Sequence, residues 1–339
     1  MTDRLPHAPP FWRDARVLGV VAQALFVVLL VAGIWAGRAI VESSMARQNI
    51  RLDWGFVRQP AGFQLTALTW TVDLDTLSLK HYSPEDSYAE AMLAGLFNTM
   101  MVALLGIGLA LVSGLIVGIA RLSRNWLVGR LGLVYVELLR NTPLLVQLFF
   151  WYFGVFLQLP TGTPESPPLT LFNNLIVLTN RSLAIGGVLT ERFGRLGVDG
   201  GFQMTSEFAA LVIGLAVYTS AFIAEIIRGG ILAVPRGQME AARTMGLSYQ
   251  RALRLIVLPQ ALRIIIPPLG NQCLNLTKNS SLAIGIGFAD FLTSAMTVAS
   301  QSFRALETFT FVTLAYLVMS LAISAFLNLL RARLALPGA

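Results

Sequence analysis

The sequence is poor in the residues that most enzyme chemistry needs. Its 339 residues include one cysteine, Cys273, and two histidines, His7 and His81, which stand far apart. A single cysteine excludes an intrachain disulfide, and so few His and Cys residues disfavour a metal site built from them. No stretch reads GxxxxGK[ST], so the sequence has no evident phosphate-binding loop. We therefore do not expect an enzyme with a nucleophile–base pair or a metal centre.

Charged residues are also scarce. They make up 13% of the sequence, whereas 55% of it is hydrophobic, and a soluble domain usually carries about 25% charged residues. This composition predicts an integral membrane protein. The net charge of +7 could indicate nucleic acid, but the basic residues are spread over short loops between apolar runs, which is typical of membrane topology. We expect a lipid bilayer as a partner and no nucleic acid.

Six apolar runs are long enough to cross a bilayer, which takes about 20 residues. They are Val17–Val41, Met92–Ala120, Leu131–Leu157, Phe208–Ile227, Leu262–Ile286 and Phe309–Leu330. The first run could instead be a signal peptide, but its apolar core is long and no clear A-x-A site follows, so we favour a retained anchor. The sequence therefore predicts an all-α membrane protein with about six transmembrane helices.

The charges of the loops indicate the orientation. With both termini in the cytoplasm, the inner segments hold 14 lysines and arginines and 3 acids, whereas the outer segments hold 8 and 13. The positive-inside rule therefore predicts cytoplasmic termini. The inner segments are 1–16, 121–130, 228–263 and 331–339, and the outer segments are 42–91, 159–207 and 287–308.

The outer segment 159–207 contains an apolar stretch, LTLFNNLIVLTN, at 169–180. Because the stretch is short and rich in Asn, we predict a surface or re-entrant helix within 170–190. A seventh span is the alternative, but it would place the following basic loop outside and undo the charge pattern.

A polar and basic stretch, EAARTMGLSYQRALRLIVLP, runs from Glu240 to Pro259 between the fourth and fifth spans. Gly246 interrupts its helical run, Ser248 can cap a new helix, and Pro259 favours an end to that helix. The pattern predicts two short helices joined at Gly246 on the cytoplasmic surface. Two interpretations stay open on pattern alone: an interfacial helix anchored by arginines, or a docking element whose small alanines let a partner approach closely.

The same stretch resembles the EAA signature of permease subunits in bacterial binding-protein-dependent ABC importers. That signature reads E-A-A, three residues, G, nine residues, I, one residue, L-P. All specified positions are present here, namely Glu240, Ala241, Ala242, Gly246, Ile256, Leu258 and Pro259. In that family the loop forms a coupling helix that seats in a cleft of the ATPase subunit. The resemblance implies that 239–259 couples to an ATPase, that this partner binds ATP and Mg²⁺, and that this chain binds no cofactor.

Further stretches extend the resemblance. GLFNTMMVALLGIGLALVSGLIVGIARLS and YVELLRNTPLLVQLFFWYFG resemble the opening spans of polar amino acid permeases, and the first span with RQPAGFQL and YSPEDSY resembles the longer permeases of general L-amino acid importers. The resemblance implies a five-helix type I permease core at 92–335, with an outer insert at 159–207. An anchor helix and outer segment at 1–91 precede this core.

The resemblance also implies partners and a location. These are a second permease subunit, expected to be a different chain, two copies of an ATP-binding subunit, and a periplasmic amino-acid-binding protein. The expected location is the bacterial inner membrane.

Charged side chains within spans are costly and usually face protein or a water-filled cavity. Glu137 and Arg140 are three residues apart, so we predict a structural ion pair within one helix. Glu225 and Arg228 repeat that spacing. An ion pair is the simpler interpretation there too, with an inner-gate role for Glu225 as the other.

Lys278 is a candidate for the substrate path. A substrate α-carboxylate needs a cation or helix N-terminal donors in a dry site, and Lys278 could supply the cation. Asn98, Thr142 and Gln272 are candidate donors along the path, although polar groups also bridge helices structurally.

An ion-gradient-driven secondary transporter or channel is the alternative function. It would predict an inverted repeat and intramembrane acids in paired positions. The sequence shows no internal repeat.

Overall fold

A computed structural model describes most of the chain, namely residues 15–47, 51–65, 70–192 and 195–334. The described residues form two compact units, one up to Asp53 and one from Trp54 onwards. The outer segment from Trp54 therefore belongs to the same unit as the predicted permease core, and not with the N-terminal helix.

The N-terminal unit contains one long helix, α1 (Ala15–Arg47). Its part Leu18–Arg47 is long and apolar enough to cross a membrane. Near its C-terminal end, Arg38 Nε donates to Glu42 Oε1 at 2.7 Å. The two side chains are one turn apart, so this exposed pair stays within the helix.

The helices of the second unit follow the predicted spans and extend most of them. In chain order they are α2 (Tyr88–Ala120), α3 (Trp126–Arg140), α4 (Leu144–Phe149), α5 (Ser206–Leu232), α6 (Arg236–Thr244), α7 (Tyr249–Ala252), α8 (Leu258–Asn279), α9 (Phe291–Ser302) and α10 (Ala305–Leu334). In the part of the chain that the structure describes, five helices can span a membrane, or six if a bent pair counts as one span. The prediction of an all-α membrane protein with about six spans is confirmed.

The second span begins earlier than predicted because of a capping box. Ser87 Oγ accepts from the backbone N–H of Glu90, and the Glu90 carboxylate accepts from the backbone N–H of Ser87 at 2.8 Å. The S-Y-A-E sequence at this point satisfies two N–H groups that would otherwise be unpaired at the helix start.

The third predicted span, Leu131–Leu157, is broken. Helix α3 ends at Arg140, and the chain then continues at a bend of 105° through Leu144–Gln158. Pro143 explains the break, because it has no N–H and disfavours helical backbone at the residue before it. The amide Nε2 of Gln147 donates to the backbone oxygens of Leu139 and Thr142 at 2.8 and 3.1 Å, which satisfies carbonyls that the break leaves unpaired.

Close packing between α2 and α5 forms the centre of the second unit. A Cβ added at Gly114 of α2 would lie 2.6 Å from Cγ2 of Ile223 and 3.0 Å from the carbonyl oxygen of Ser220, both on α5. One turn further on, Gly118 faces Ala224 and Ile227 in the same way. The glycines let the two helices approach closely, as small residues do in membrane proteins.

The outer segment packs on the membrane helices through a small hairpin. Strands β1 (Trp70–Val72) and β2 (Leu79–His81) pair antiparallel, and buried Phe56 and Tyr82 share a cluster with residues of α2, α9 and α10. On its surface, Lys80 Nζ lies 2.8 Å from Asp86 Oδ1 and 2.9 Å from Glu90 Oε1.

The outer insert is a β-structure, so the predicted surface or re-entrant helix within 170–190 is wrong. Its described residues form six strands, namely β3 (Leu169–Leu171), β4 (Ile176–Leu178), β5 (Ser182–Ile185), β6 (Val188–Arg192), β7 (Arg195–Asp199) and β8 (Phe202–Thr205). Strands β3, β4, β5 and β8 form one antiparallel sheet, and β6 pairs with β7.

The turn between β3 and β4 explains this difference. Phe172, Asn173 and Asn174 have φ values of 51°, 55° and 66°, which is left-handed backbone that Asn tolerates and a helix cannot contain. The β-branched Ile176 and Val177 then favour a strand. The Asn pair is therefore a hairpin signal, and it separates two short apolar strands.

Candidate coupling elbow and polar helix face

Residues 236–257 form a compact elbow between α5 and α8. Its first arm is α6, which ends at a Schellman motif: the N–H of Gly246 donates to Arg243 O at 3.0 Å, and the N–H of Leu247 donates to Ala242 O at 3.1 Å. Gly246 has φ +87°, which a glycine adopts without strain. The predicted junction of two helices at Gly246 is confirmed.

The second arm starts at Ser248 and runs into α8 without a break. Helix α7 is followed by a π-helical turn, Leu253–Val257, in which the N–H of Leu258 donates to Leu253 O. The prediction that Pro259 ends this helix is wrong, because Pro259 lies in the first turn of α8. The π-turn changes the hydrogen-bond pattern just before the position where the proline N–H is missing, and the first turn of a helix tolerates proline.

The two arms pack on each other through small side chains. Ala242 of α6 is 4% exposed and Ala252 of α7 is fully buried, and Val257 of the π-turn is buried as well. Of the two signature alanines, only Ala241 is exposed. The expectation that both alanines leave room for a partner is therefore wrong for Ala242, whose side chain packs inside the elbow.

The outward side of the elbow combines exposed apolar and basic groups. Met245 is 82% exposed, and Tyr249 and Leu255 are more than half exposed. The exposed charged side chains are Arg236, Glu240, Arg243, Arg251 and Arg254. Aromatic residues, methionine and arginine are enriched at protein interfaces, so the exposed surface of the elbow has the composition of a docking surface.

The remaining signature residues lie in the second arm and the start of α8. Ile256 and Pro259 are half-buried, and Leu258 is 41% exposed. The signature therefore divides into outward positions and positions that hold the elbow together.

Glu225 connects two helices directly above the elbow. Its carboxylate accepts from Arg228, with Arg228 Nη2 at 2.5 Å from Glu225 Oε1, and from Nη1 of Arg121. Arg121 directly follows α2 and Glu225 lies about two turns before the end of α5, so this ion pair joins the C-terminal parts of the two helices. The predicted pair of Glu225 with Arg228 is present, and sequence reasoning missed Arg121, which stands 104 residues away.

Glu137 and Arg140 do not form the predicted ion pair. Glu137 Oε2 instead accepts from Nδ2 of Asn141 at 3.1 Å. The Arg140 guanidinium lies 5.2 Å from the ring centre of Phe222, which is cation–π distance. The aromatic ring on α5 and the amide at the end of α3 replace the two partners that the spacing suggested.

Lys278 stands on an exposed polar face of α8. Asn271, Asn275 and Lys278 are spaced four and three residues apart, so they share one side of the helix, and all three are exposed. Other positions of α8, among them Leu276 and Thr277, are buried. Sequence reasoning named Lys278 but missed the two asparagines, which the helical spacing could have revealed.

The other path candidates are placed differently. Asn98 is fully buried, and its Nδ2 donates to Ala289 O at 2.8 Å, so it bridges α2 to the segment before α9 and cannot face a path. Thr142 Oγ1 donates to Leu138 O at 2.7 Å, which satisfies a carbonyl at the end of α3. Gln272 is half-buried on α8, outside the face that holds Lys278.

Comparisons with known proteins agree with this arrangement. A family profile described as "binding-protein-dependent transport system inner membrane component" matches residues 106–336. The chain is 36% identical to the general L-amino acid transport system permease protein AapQ of Rhizobium johnstonii, with 95% of this chain and 94% of that protein covered. It is 31% identical to the glutamine transport system permease protein GlnP of Escherichia coli, over 72% of this chain and 92% of that protein.

Two solved structures share the helical architecture. A chain of an amino acid ABC transporter crystallised with histidines is 30% identical, with a TM-score of 0.54 over 73% of this chain and 95% of that chain. A chain of the inward-facing methionine transporter MetNI is 16% identical with a TM-score of 0.51, over 73% of this chain and 97% of that chain. The second likeness concerns the fold alone.

Proposed function

The chain belongs to the family of inner membrane components of binding-protein-dependent transport systems, and we propose that it is one permease subunit of an ATP-driven amino acid importer. The names of its relatives AapQ and GlnP support this substrate class. The chain is a transport component and not an enzyme. Membership of this family also favours the importer over an ion-gradient-driven transporter or channel.

One observation carries the proposed coupling role. The signature residues lie on a folded elbow between two membrane helices, and the elbow presents Met245, Tyr249 and Leu255 outwards. Ala241 and Glu240 are exposed on the first arm, where a small side chain and a charge would set the approach and register of a partner. We infer that an ATPase subunit binds this side.

The contacts of the elbow provide a route for movement. Its first arm follows α5 after a short link, and its second arm continues into α8. The Arg121–Glu225 bond ties the end of α2 to the end of α5. Displacement of the elbow by the ATPase would therefore act on α2, α5 and α8 together, and would switch the path between outward and inward access.

The polar face of α8 supplies this chain's half of the path. Exposed amide and ammonium groups on a membrane helix need water or a polar partner, which an enclosed path between two permease chains would provide. Among the described residues, no carboxylate forms an ion pair with Lys278, so its ammonium is available to a substrate α-carboxylate, with Asn271 and Asn275 as further donors.

The assembly would contain four further chains. A second permease subunit, expected to be a different chain, closes the path, and two ATP-binding subunits hold ATP and Mg²⁺. A periplasmic amino-acid-binding protein delivers the substrate. The orientation predicted from the loop charges places both termini on the same side as the elbow, in the cytoplasm.

Co-purification with the ATPase and ATP-dependent uptake in proteoliposomes test the coupling role. Glu240→Lys and Ala241→Trp alter exposed positions on the first arm, so they should reduce both ATPase retention and uptake while the chain stays folded. Arg124→Glu is the matched control, since Arg124 is an exposed cation in the other short turn at the same end of the molecule.

The outcome separates docking from a general surface effect. Unchanged assembly and uptake in both elbow variants would refute the docking role. Uptake that persists without any ATPase would refute the importer itself.

A further inference from the structure

A cavity of about 340 Å³ lies between the α2–α3 turn and the end of α5. It is at the same end of the second unit as the elbow, because α2 and α5 run parallel and α5 leads into α6. The polar side chains that line it are Arg121, Ser123, Asn125, Trp126, Arg130 and Arg228. None of them carries a carboxylate, and the three arginines contribute hydrogen-bond donors alone.

The charge of the cavity favours an anion. Arg121 and Arg228 share one carboxylate, that of Glu225, whereas Arg130 forms no ion pair within the described residues. Three guanidinium groups against one carboxylate leave an excess of two positive charges. Guanidinium groups bind phosphate oxygens well because they offer paired donors in a plane.

Two neutral residues add donors to the same space. Asn125 caps α3 with its Oδ1, which accepts from the N–H groups of Leu127 and Val128 at 3.0 and 3.3 Å. The cap orients the side chain and leaves its Nδ2 group free to donate. Ser123 Oγ accepts from the N–H of Asn125 at 3.2 Å, so its own proton remains available as well.

The surroundings of the cavity are those of a membrane interface. Trp126 at its rim is 77% exposed, and the exposed residues Leu127, Leu131 and Val134 continue along the outward face of α3. Tryptophan is enriched at the level of lipid headgroups, and an exposed apolar helix face accommodates acyl chains. A soluble anion would use the basic groups but not this apolar face.

We propose that this cavity binds the headgroup phosphate of an anionic phospholipid of the cytoplasmic leaflet, with the acyl chains along α3. Basic pockets between membrane helices on the cytoplasmic side bind such headgroups. The site lies beside the Arg121–Glu225–Arg228 contacts, so a bound lipid would stabilise the junction of α2 and α5 above the elbow. This site does not depend on the docking role of the elbow.

Native mass spectrometry of the full-length chain, purified with its accompanying subunits and delipidated in detergent, tests the site. Phosphatidylglycerol and phosphatidylcholine with the same acyl chains are added separately, and retained lipid is counted. We expect a preference for phosphatidylglycerol that falls about fivefold or more in Arg130→Gln, because one arginine near an anionic surface contributes about that factor. Arg130→Lys should retain part of it.

Arg124→Gln is the matched control, because Arg124 lies in the α2–α3 turn, between Ser123 and Asn125, but does not itself line the cavity. Equal losses in Arg124→Gln and Arg130→Gln would show a general surface-charge effect and overturn the proposal. An unchanged preference in Arg130→Gln would overturn it as well. Displacement of the lipid by millimolar inorganic phosphate would identify a site for soluble anions and refute the lipid assignment.

Discussion

Replacement of Gly246 by alanine tests whether the elbow depends on left-handed backbone. Gly246 has φ +87°, and a Cβ placed there meets no heavy atom within 4 Å. Steric contact with neighbours therefore contributes nothing, and the cost is that of an L-residue in left-handed backbone, about 1–2 kcal/mol. Alanine therefore weakens the turn that two Schellman hydrogen bonds close, from the N–H of Gly246 to Arg243 O and from the N–H of Leu247 to Ala242 O.

Hydrogen exchange of the amides in 236–248, measured on the purified chain before any ATPase is added, reports this cost. A loss of about 1–2 kcal/mol in local opening free energy corresponds to exchange about 5–30 times faster. Gly246→Asn should fall between glycine and alanine, since Asn tolerates left-handed backbone. In the importer, ATP-dependent uptake should decrease in the same order.

Gly229→Ala is the matched control for this experiment. Gly229 lies within α5, is exposed, and has no heavy atom within 4 Å of an added Cβ, but its backbone is helical. Alanine should therefore stabilise the helix there by about 0.5–1 kcal/mol. The reasoning is refuted if exchange in the elbow is unchanged in Gly246→Ala, or if the two substitutions shift local stability in the same direction.

Three further predictions concern stability. Gly114→Leu would push α2 away from α5 and should lower the free energy of unfolding in detergent by about 1–3 kcal/mol, whereas Gly108→Leu should not, because a Cβ added at Gly108 meets no heavy atom within 4 Å. Phe303 has φ 56° and is 90% exposed, so Phe303→Gly should raise the free energy of unfolding by about 0.5–1 kcal/mol; a decrease would contradict this. Burial raises the pKa of Tyr82 to about 12, and hydrogen bonds to carboxylates raise the pKa of Lys80. Both groups keep their protons in the folded state at a pH where the unfolded chain releases them. The free energy of unfolding should therefore keep its full value below about pH 10 and fall between about pH 10 and 12. Denaturation midpoints across that range should fall less steeply in Tyr82→Phe, and a fall of equal steepness would refute the assignment to Tyr82.

The features that were predictable from the sequence depend on local signals. Gly246 acts within a few residues, and the α6 and α7 arms lie on either side of it. Ser248 stands at the N-cap position of α7 as predicted, but its side chain makes no capping hydrogen bond. Hydropathy likewise predicted the membrane helices, because each needs about 20 apolar residues in a row. Such signals need no knowledge of the tertiary structure.

The features that were not predictable depend on distant or competing groups. Arg140 has its partner Phe222 on another helix, so the three-residue spacing to Glu137 was misleading. Arg121 meets Glu225 across the close α2–α5 packing that Gly114 and Gly118 allow, which local sequence does not reveal. The hairpin at Asn173 and Asn174 was missed because an apolar stretch in a membrane protein was interpreted as helix before its turn residues were weighed.

The geometry of α8 explains how a small movement at the elbow can reach the polar face. The helix Leu258–Asn279 has 22 residues and is therefore about 33 Å long. Its first turn continues from the π-turn of the elbow, and Lys278 lies in its last turn. Lys278 lies about 30 Å from Leu258 along the helix, so a tilt of about 10° about the elbow end would displace it by roughly 5 Å, close to the helix pitch of about 5.4 Å. Because charge-assisted hydrogen bonds to a carboxylate are about 2.7–2.9 Å long, such a displacement is enough to break the proposed contact between Lys278 and a substrate carboxylate. An ATPase that moved the elbow by this angle would therefore release the substrate without touching the path.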